Sequence, residues 1–370
     1  MKNKFFPALA VLVGTTIGAG FLGIPYVVSK SGFLPGVAWL IFVAIIMLFT
    51  KLYLGEVSLR TRGNHQLTGY AEKYLGKKGK VLMFFAMLFG IYSALVAYLF
   101  AEGRVLSYMV FGAENFSFIF SICFWLLMSI LTYKGLSELK KVEKIAMIFV
   151  LGIVFAIVII FSHGIRLENL SYINTDNLFL PFGVIVFSFL AFSALPEVER
   201  ILSGQEKLMK KVIFLGFLIP IIVYFVFMLV IVGNFGTGTG EIATLSLPRI
   251  FSILAVLTIF TAFFTLTLAI RDMFRFDFGL GRFRGWLLAV FIPLILFLTF
   301  SFFHIASFIS LLSIAGVVSG GLTGILILLM NKRAKVLGNR NPEYTVPISW
   351  LVILLISIIF ILAVIAEFLL

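Results

Sequence analysis

The stretch GTTIGAGFLGIPY, Gly14 to Tyr26, sets Gly14, Gly18 and Gly20, and then Pro25, inside a segment otherwise apolar enough to cross a membrane. In a helix interior Gly costs about 1 kcal/mol and Pro about 3 kcal/mol relative to Ala. In hydrocarbon, every N–H or C=O that an interruption frees needs another partner. A broken helix therefore persists there only when buried in protein or lining a cavity. The interruption is a candidate binding site.

Composition fixes the class around it. Hydrophobic residues make up 62% of the 370, with 44 Phe, and only 12% are charged; mean hydropathy is +1.16. In water such a chain would have nowhere to put its apolar surface, so it is read as an integral membrane protein. A net charge of +13 by itself suits nucleic acid, because Lys and Arg neutralise phosphates, but its distribution points elsewhere.

Apolar stretches of spanning length run at 5–28, 34–57, 80–111, 116–133, 142–162, 179–201, 212–233, 249–274, 285–303, 306–330 and 347–369, which predicts eleven transmembrane helices. Basic residues cluster in alternate connections. Lys2 and Lys4 precede the first helix. Lys51, Arg60, Arg62, Lys73, Lys77, Lys78 and Lys80 are assigned between the second and third, and Lys134, Lys140, Lys141 and Lys144 between the fourth and fifth. The pattern repeats around Arg200 and Lys211, around Arg271 and Arg284, and around Lys332 and Arg340. The positive-inside rule makes that face cytoplasmic, with the N-terminus inside and the C-terminus outside. The basic excess is a topology signal, and no nucleic-acid partner is expected.

Cys123 is the sole cysteine, and His65, His163 and His304 have no partners at ligand spacing, so neither an intramolecular disulfide nor a His/Cys metal site is expected. Scattered histidines and few buried carboxylates also argue against an enzyme. Within HQLTGYAEKYLGKKGK, Leu67, Tyr70, Ala71, Tyr74 and Leu75 share a helical face, which predicts a short amphipathic helix along the cytoplasmic interface. The loops SHGIRLENLSYINTDN and NFGTGTGEIATLS are polar and are expected outside.

A second interruption matches the first. PFGVIVFSFLAFSALPEVER, Pro181 to Arg200, is bracketed by prolines much as Pro7 and Pro25 bracket the first helix. The two segments open two five-helix halves, 5–162 and 179–331, followed by an eleventh helix at 347–369, all in a single membrane domain over 1–370. Because five is odd, the second half runs inverted, and interrupted segments at matching positions of inverted halves point to a transporter's midplane site.

GTTIGAGFLGIPY, LPFGVIVFSFLAFSALPEV and GYAEKYLG together resemble the amino acid/auxin permease family and related bacterial aromatic amino acid permeases. These belong to the amino acid–polyamine–organocation superfamily, and the resemblance implies an all-α LeuT-type 5+5 inverted repeat with helices 1 and 6 broken. Relatives often carry glycine where this chain has Ala191. The resemblance implies a secondary active transporter of amino acids.

A broken helix offers a zwitterion both donors and acceptors without a buried charged side chain. N–H groups around Gly18, Ala19 and Gly20 can hold the carboxylate at the positive end of the outer half-helix. Carbonyls around Thr15, Thr16 and Ile17, and at Phe187 and Ser188, can accept from the ammonium. Ala191, Phe187, Phe192 and Tyr98 are candidates for the rest of the lining, which favours a neutral, large or aromatic substrate. The alternative for the glycines is close helix packing alone.

In sodium-coupled relatives a cation lies between carbonyls of the first helix and hydroxyls of the eighth. Here Gly14 and Ile17 with Thr258, Thr261 and Thr265 could form such a sodium site, unless each Thr merely bonds its own i−4 carbonyl. Some proton-coupled relatives place a Lys in the fifth helix; this one has none within AMIFVLGIVFAIVIIF, which tilts the reading toward sodium over a proton. No other cofactor is expected. Glu102 and Arg104 are candidates for an outer gate and Glu197 for an inner one, where Glu199, Arg200, Glu56 and Asp272 also lie. The expected unit is a monomer in the plasma membrane, with lipid, amino acid and coupling cation as partners. The alternative function is a non-transporting amino acid sensor of the same fold.

Overall fold

The computed structural model describes residues 4–63, 65–134 and 139–369, leaving aside the side chains of 139–145, 276, 277, 368 and 369. Lys2 thus lies outside the described residues, as do the side chains of Lys140, Lys141 and Lys144. Among the described residues, ten helices are long and apolar enough to cross a membrane, and the bent pair Phe5–Thr16 with Ala19–Ser31 makes an eleventh. The protein is a multi-pass, all-helical membrane protein. Spans are numbered below in chain order.

The first span is Phe5–Thr16 followed, after Ile17 and Gly18, by Ala19–Ser31; its two pieces are bent by 41°. The second is Phe33–Leu59, the fourth Ser117–Lys134, the fifth Leu139–Phe161, the seventh Met209–Phe235, the eighth Ser252–Phe278 and the ninth Arg282–Phe303. The sixth is Leu180–Ser188 followed by a short turn at Phe192–Ala194 and then Leu195–Ile201. The tenth runs from Phe308 to Leu337 through a π-helical stretch at Ala315–Gly320, and the eleventh is Trp350–Leu369.

Prolines in these broken spans begin helices. Pro25, Pro181 and Pro196 each sit in the first turn of a half-helix, where the missing N–H costs no helical bond. The interruptions themselves fall elsewhere, at Ile17–Gly18 and Phe189–Ala191.

The third span differs from expectation. Leu67–Phe111 is one run of 45 residues, turned at Gly76, whose φ of 75° places it in the left-handed region that glycine tolerates. The amphipathic piece before Gly76 does not simply face the membrane interface. Tyr70 Oη donates to Ser58 Oγ at 3.1 Å, Tyr74 and Thr61 share a hydroxyl contact at 2.6 Å, and Leu67, Tyr70, Ala71 and Tyr74 are buried. It is clamped onto the end of the second span.

One placement corrects the sequence reading and another adds to it. Lys51, assigned to a basic loop, lies inside the second span; it is fully buried with Nζ 4.5 Å from the centre of the Phe217 ring. The polar loop after the seventh span lies on the face opposite the N-terminus, and part of it is folded into the bundle. Ile242, Ala243 and Thr244 are fully buried, in a short turn that packs against the first, third and eighth spans. Its glycines let the chain fold back into the bundle, so this loop plugs the face opposite the N-terminus.

Candidate functional site at the two interrupted spans

The N-terminal half of the first span stops when the Ile17 N–H bonds Val13 O at 2.8 Å and the Gly18 N–H turns to Thr16 O at 2.9 Å. Gly18 is extended, at φ −89° and ψ −168°. The sixth span stops as the Phe189 N–H reaches Ile185 O at 3.2 Å and Val186 O at 3.1 Å, and the Leu190 N–H reaches Phe187 O at 3.1 Å. Ala191 then takes φ 36° and ψ 27°, a left-handed conformation uncommon for any residue but glycine.

The interruptions meet. Gly20 lies against the sixth span so closely that a Cβ there would stand 2.7 Å from Phe187 Cδ1 and 3.0 Å from Ser188 Oγ. The N-terminal half of the sixth span in turn packs on the π-helical stretch of the tenth, where a Cβ on Gly316 would collide with the Gly183 carbonyl. π-Helical turns recur at functional sites, and this one contributes Ser319 to the cavity wall.

Between the breaks is a cavity of about 160 Å³. Of the residues picked out for the substrate, Thr15, Thr16, Gly18, Gly20, Tyr98, Phe187, Ser188, Ala191 and Phe192 line it, whereas Ile17 and Ala19 are buried behind its wall. Of those picked out for a cation, Gly14, Thr261 and Thr265 line it. Ile17 and Thr258 do not. Thr258 Oγ donates to Leu254 O at 2.8 Å, and Thr261 Oγ to Leu257 O at 2.8 Å, so both hydroxyls spend their proton within the eighth helix and keep oxygen lone pairs.

Sequence reading missed part of the wall. Met87, Gly90 and Ala94 of the third span, Ala262, Leu266 and Ala269 of the eighth, and Ser319 and Thr323 of the tenth all contribute. The small residues carry the only available signal, since Gly90 allows the third and tenth spans to touch at Ser319. Among the described lining residues none bears a formal charge. The cavity extends from Gly20 and Tyr98 to Leu67 on the clamped amphipathic helix and to exposed Ser193, so it opens toward the face that carries the N-terminus.

The opposite face is closed. Arg104 donates from Nε to Glu114 and from Nη1 to Glu241, each at 2.5 Å, and Glu241 belongs to the buried plug. Lys30 Nζ holds the Thr237 carbonyl of the same loop at 2.9 Å. Glu102 is not part of this group; it is buried one turn beyond Tyr98, and its Oε2 has no hydrogen-bond partner among the described residues. Glu197 lies in the first turn of Leu195–Ile201, the C-terminal half of the sixth span. Glu56 has a different place, fully buried, accepting from Arg60 Nε at 2.8 Å, Asn331 Nδ2 at 3.1 Å and Val346 N at 2.9 Å. It ties the second span to the tenth and to the segment before the eleventh.

One side chain that sequence reading did not single out joins the two interruptions. Tyr224 of the seventh span donates its hydroxyl to Thr16 O at 2.6 Å and lies 2.9 Å from Ser188 O. Its ring is stacked on Phe21 at 5.7 Å and rests against Phe189 at 5.0 Å.

Known proteins share this architecture. The structure of MhsT in complex with L-phenylalanine superposes with a TM-score of 0.69 over 100% of this chain and 98% of that one, at 18% identity, which shows the LeuT-type fold. Tyrosine-specific transport system 2 of Haemophilus influenzae is 26% identical over an alignment of 381 residues, covering 92% of this chain and 90% of the relative. Glutamine transporter 2 of Aliivibrio fischeri is 24% identical over 243 residues, covering 63% of this chain and 62% of the relative. A sequence model of the tryptophan/tyrosine permease family matches residues 1–239, and with that match over more than half of its length the chain belongs to the tryptophan/tyrosine permease family.

Proposed function

We propose that this protein is a secondary active transporter that brings neutral amino acids, large or aromatic ones foremost, into the cell together with a cation. The observation that carries the reading is the cavity itself: two interrupted spans enclose it, and its described lining has polar backbone and hydroxyls but no charged side chain. An acidic or basic substrate side chain would lack a counter-charge there, whereas Tyr98, Phe187 and Phe192 give an aromatic one apolar and ring contacts. Names of the relatives point the same way, to tyrosine, tryptophan and glutamine.

The substrate carboxylate is assigned to the N–H groups that start the outer half of the first span, at Ala19 and Gly20, which helix geometry leaves without i−4 partners. The ammonium is assigned to carbonyls of the inner half. Sodium is the proposed coupling ion, held by backbone oxygen at Gly14 and Ile17 and by hydroxyls of the eighth span at Thr261 and Thr265, an all-oxygen set suited to a hard cation. The basic clusters place the N-terminus in the cytoplasm and the C-terminus outside the plasma membrane. In that orientation the cavity opens inward, and the plug with Arg104 and Glu241 seals the outer side. The working unit is a monomer.

Uptake of radiolabelled tryptophan, tyrosine, leucine and alanine into proteoliposomes tests this. Saturable accumulation of tryptophan or tyrosine in a sodium gradient, abolished when choline replaces external sodium at fixed pH, is the expected result. Binding without accumulation would mean a sensor. Uptake that ignores sodium but collapses with a proton ionophore would remove the sodium assignment.

A further inference from the structure

The two half-helices that end at the cavity both point their carbonyl ends inward. Phe5–Thr16 arrives from the face carrying the N-terminus and Leu180–Ser188 from the opposite one, so the negative ends of two helix dipoles converge on one place. Two such ends repel unless a donor stands between them, and in a water-poor interior their last carbonyls also need partners. The Thr16 and Ser188 hydroxyls turn back to Leu12 O and Val184 O within their own helices, and the Tyr224 hydroxyl reaches across to both ends. Tyr224 Oη lies 2.6 Å from Thr16 O and 2.9 Å from Ser188 O, and one O–H proton serves both acceptors.

The phenol is held by two rings. Phe21, from the outer half of the first span, stacks on it with planes 5° apart. Phe189, at the interruption of the sixth span, packs on its other neighbourhood at 5.0 Å and also touches Phe217 of the same seventh span at 4.7 Å. Tyr224 is buried and is not in the cavity wall. It therefore holds the pieces of the site without reaching the substrate.

We infer that Tyr224 is the positioning residue of this site: by joining the Thr16 and Ser188 carbonyls it sets the spacing of the two interrupted spans, and through that spacing the affinity for the amino acid. The affinity half of this statement rests on the transporter reading above; the spacing half does not. Because one oxygen holds both carbonyls, losing it loosens both interruptions together.

The test uses Y224F, which keeps the ring contacts and deletes the hydroxyl, in the full chain in lipid nanodiscs. Without substrate, amide hydrogen exchange over residues 14–22 and over residues 186–194 should accelerate at least 10-fold in both stretches. Y108F, which deletes the 3.2 Å bond from Tyr108 to Leu247 O on the plug, should leave both stretches at native rates. In proteoliposomes Y224F should raise the half-saturation concentration at least 10-fold and change the maximal rate less than 3-fold. A merely structural role would lower the amount of folded protein and leave half-saturation alone. Acceleration at one interruption only, or at neither, overturns the shared tie. Acceleration at both with unchanged half-saturation overturns the positioning role. If the native protein moves none of the amino acids, the transporter reading falls while the exchange result still decides the tie. Should Y224F not fold, F21L, which removes the stacked ring, should accelerate both stretches about 3-fold; native rates in both would overturn the proposal.

Discussion

The first and sixth spans are both interrupted at the same cavity, yet they break in opposite ways. In the first, the glycines answer a demand for space. Gly18 is merely extended, a conformation that any residue adopts, and a Cβ there would meet only Thr15 O at 3.8 Å and the Ala262 methyl at 3.9 Å. Its lack of a side chain leaves the cavity clear. At Gly20 the demand is contact, because the Phe187 ring occupies the space a side chain would need. In the sixth span the demand is conformational, since Ala191 is in the left-handed region and is nevertheless not glycine. Missing side chains thus open the first interruption, and backbone strain accompanies the second.

That contrast is broken most severely at Gly20. Gly20→Val places branched carbon where Phe187 and Ser188 already stand, and overpacking of a close interior typically costs about 1–3 kcal/mol. If the displacement is taken at the site, half-saturation for the amino acid should rise roughly 100-fold, the equivalent of about 2.7 kcal/mol. Native-like binding by isothermal titration or scintillation proximity would show that the contact with Phe187 does not shape the site. Gly18→Val has a smaller expected effect. Its side chain finds room, so the protein should assemble and melt like the native one, while the branched carbon fills part of the cavity and raises half-saturation about 10-fold, or about 1.4 kcal/mol. A variant that melts well below the native protein would mean that Gly18 serves packing, and one with unchanged half-saturation would move the substrate away from the first interruption.

The same contrast explains what could be read from the chain. Spans are legible because hydrocarbon demands about 20 apolar residues in a row, and the first interruption is legible because glycines and a proline stand inside one. The sixth was located through its prolines. These mark where half-helices begin, and the actual turn at Ala191 carries an ordinary helix-former. Tertiary partners left no local trace. Tyr224 is one tyrosine among 11, and only folding brings it to Thr16 and Ser188. Arg104 could be seen as a charge out of place, but Glu241 meets it across 137 positions. The plug is legible only as a polar loop expected outside; that Ile242 and Ala243 turn into the bundle leaves no mark in its composition. Lys51 was assigned by charge to a loop that begins several residues later, because a long amine covered by Phe217 has no counterpart in a hydropathy rule.

Ala191 offers the finest test of how the two interruptions differ. An L-residue in the left-handed region pushes its Cβ toward the following carbonyl, which costs roughly 1 kcal/mol compared with glycine. Glycine, however, loses more chain entropy on folding, by about 0.5–1 kcal/mol, so the two terms largely offset and Ala191→Gly should change stability by well under 1 kcal/mol in net. On a chain of this size that is a shift in Tm of no more than about 2 °C. The side-chain methyl lines the cavity, so its removal should widen the pocket slightly and tilt the half-saturation ratio between tryptophan and leucine toward tryptophan, by about 2-fold. Ala191→Val separates the causes, since a β-branched residue is far less at ease with positive φ than Ala. If the conformation is the constraint, Ala191→Val should melt several degrees lower while Ala191→Gly hardly moves. Equal melting of all three would show that the left-handed turn relaxes freely, and that the sixth span, like the first, is opened by space alone.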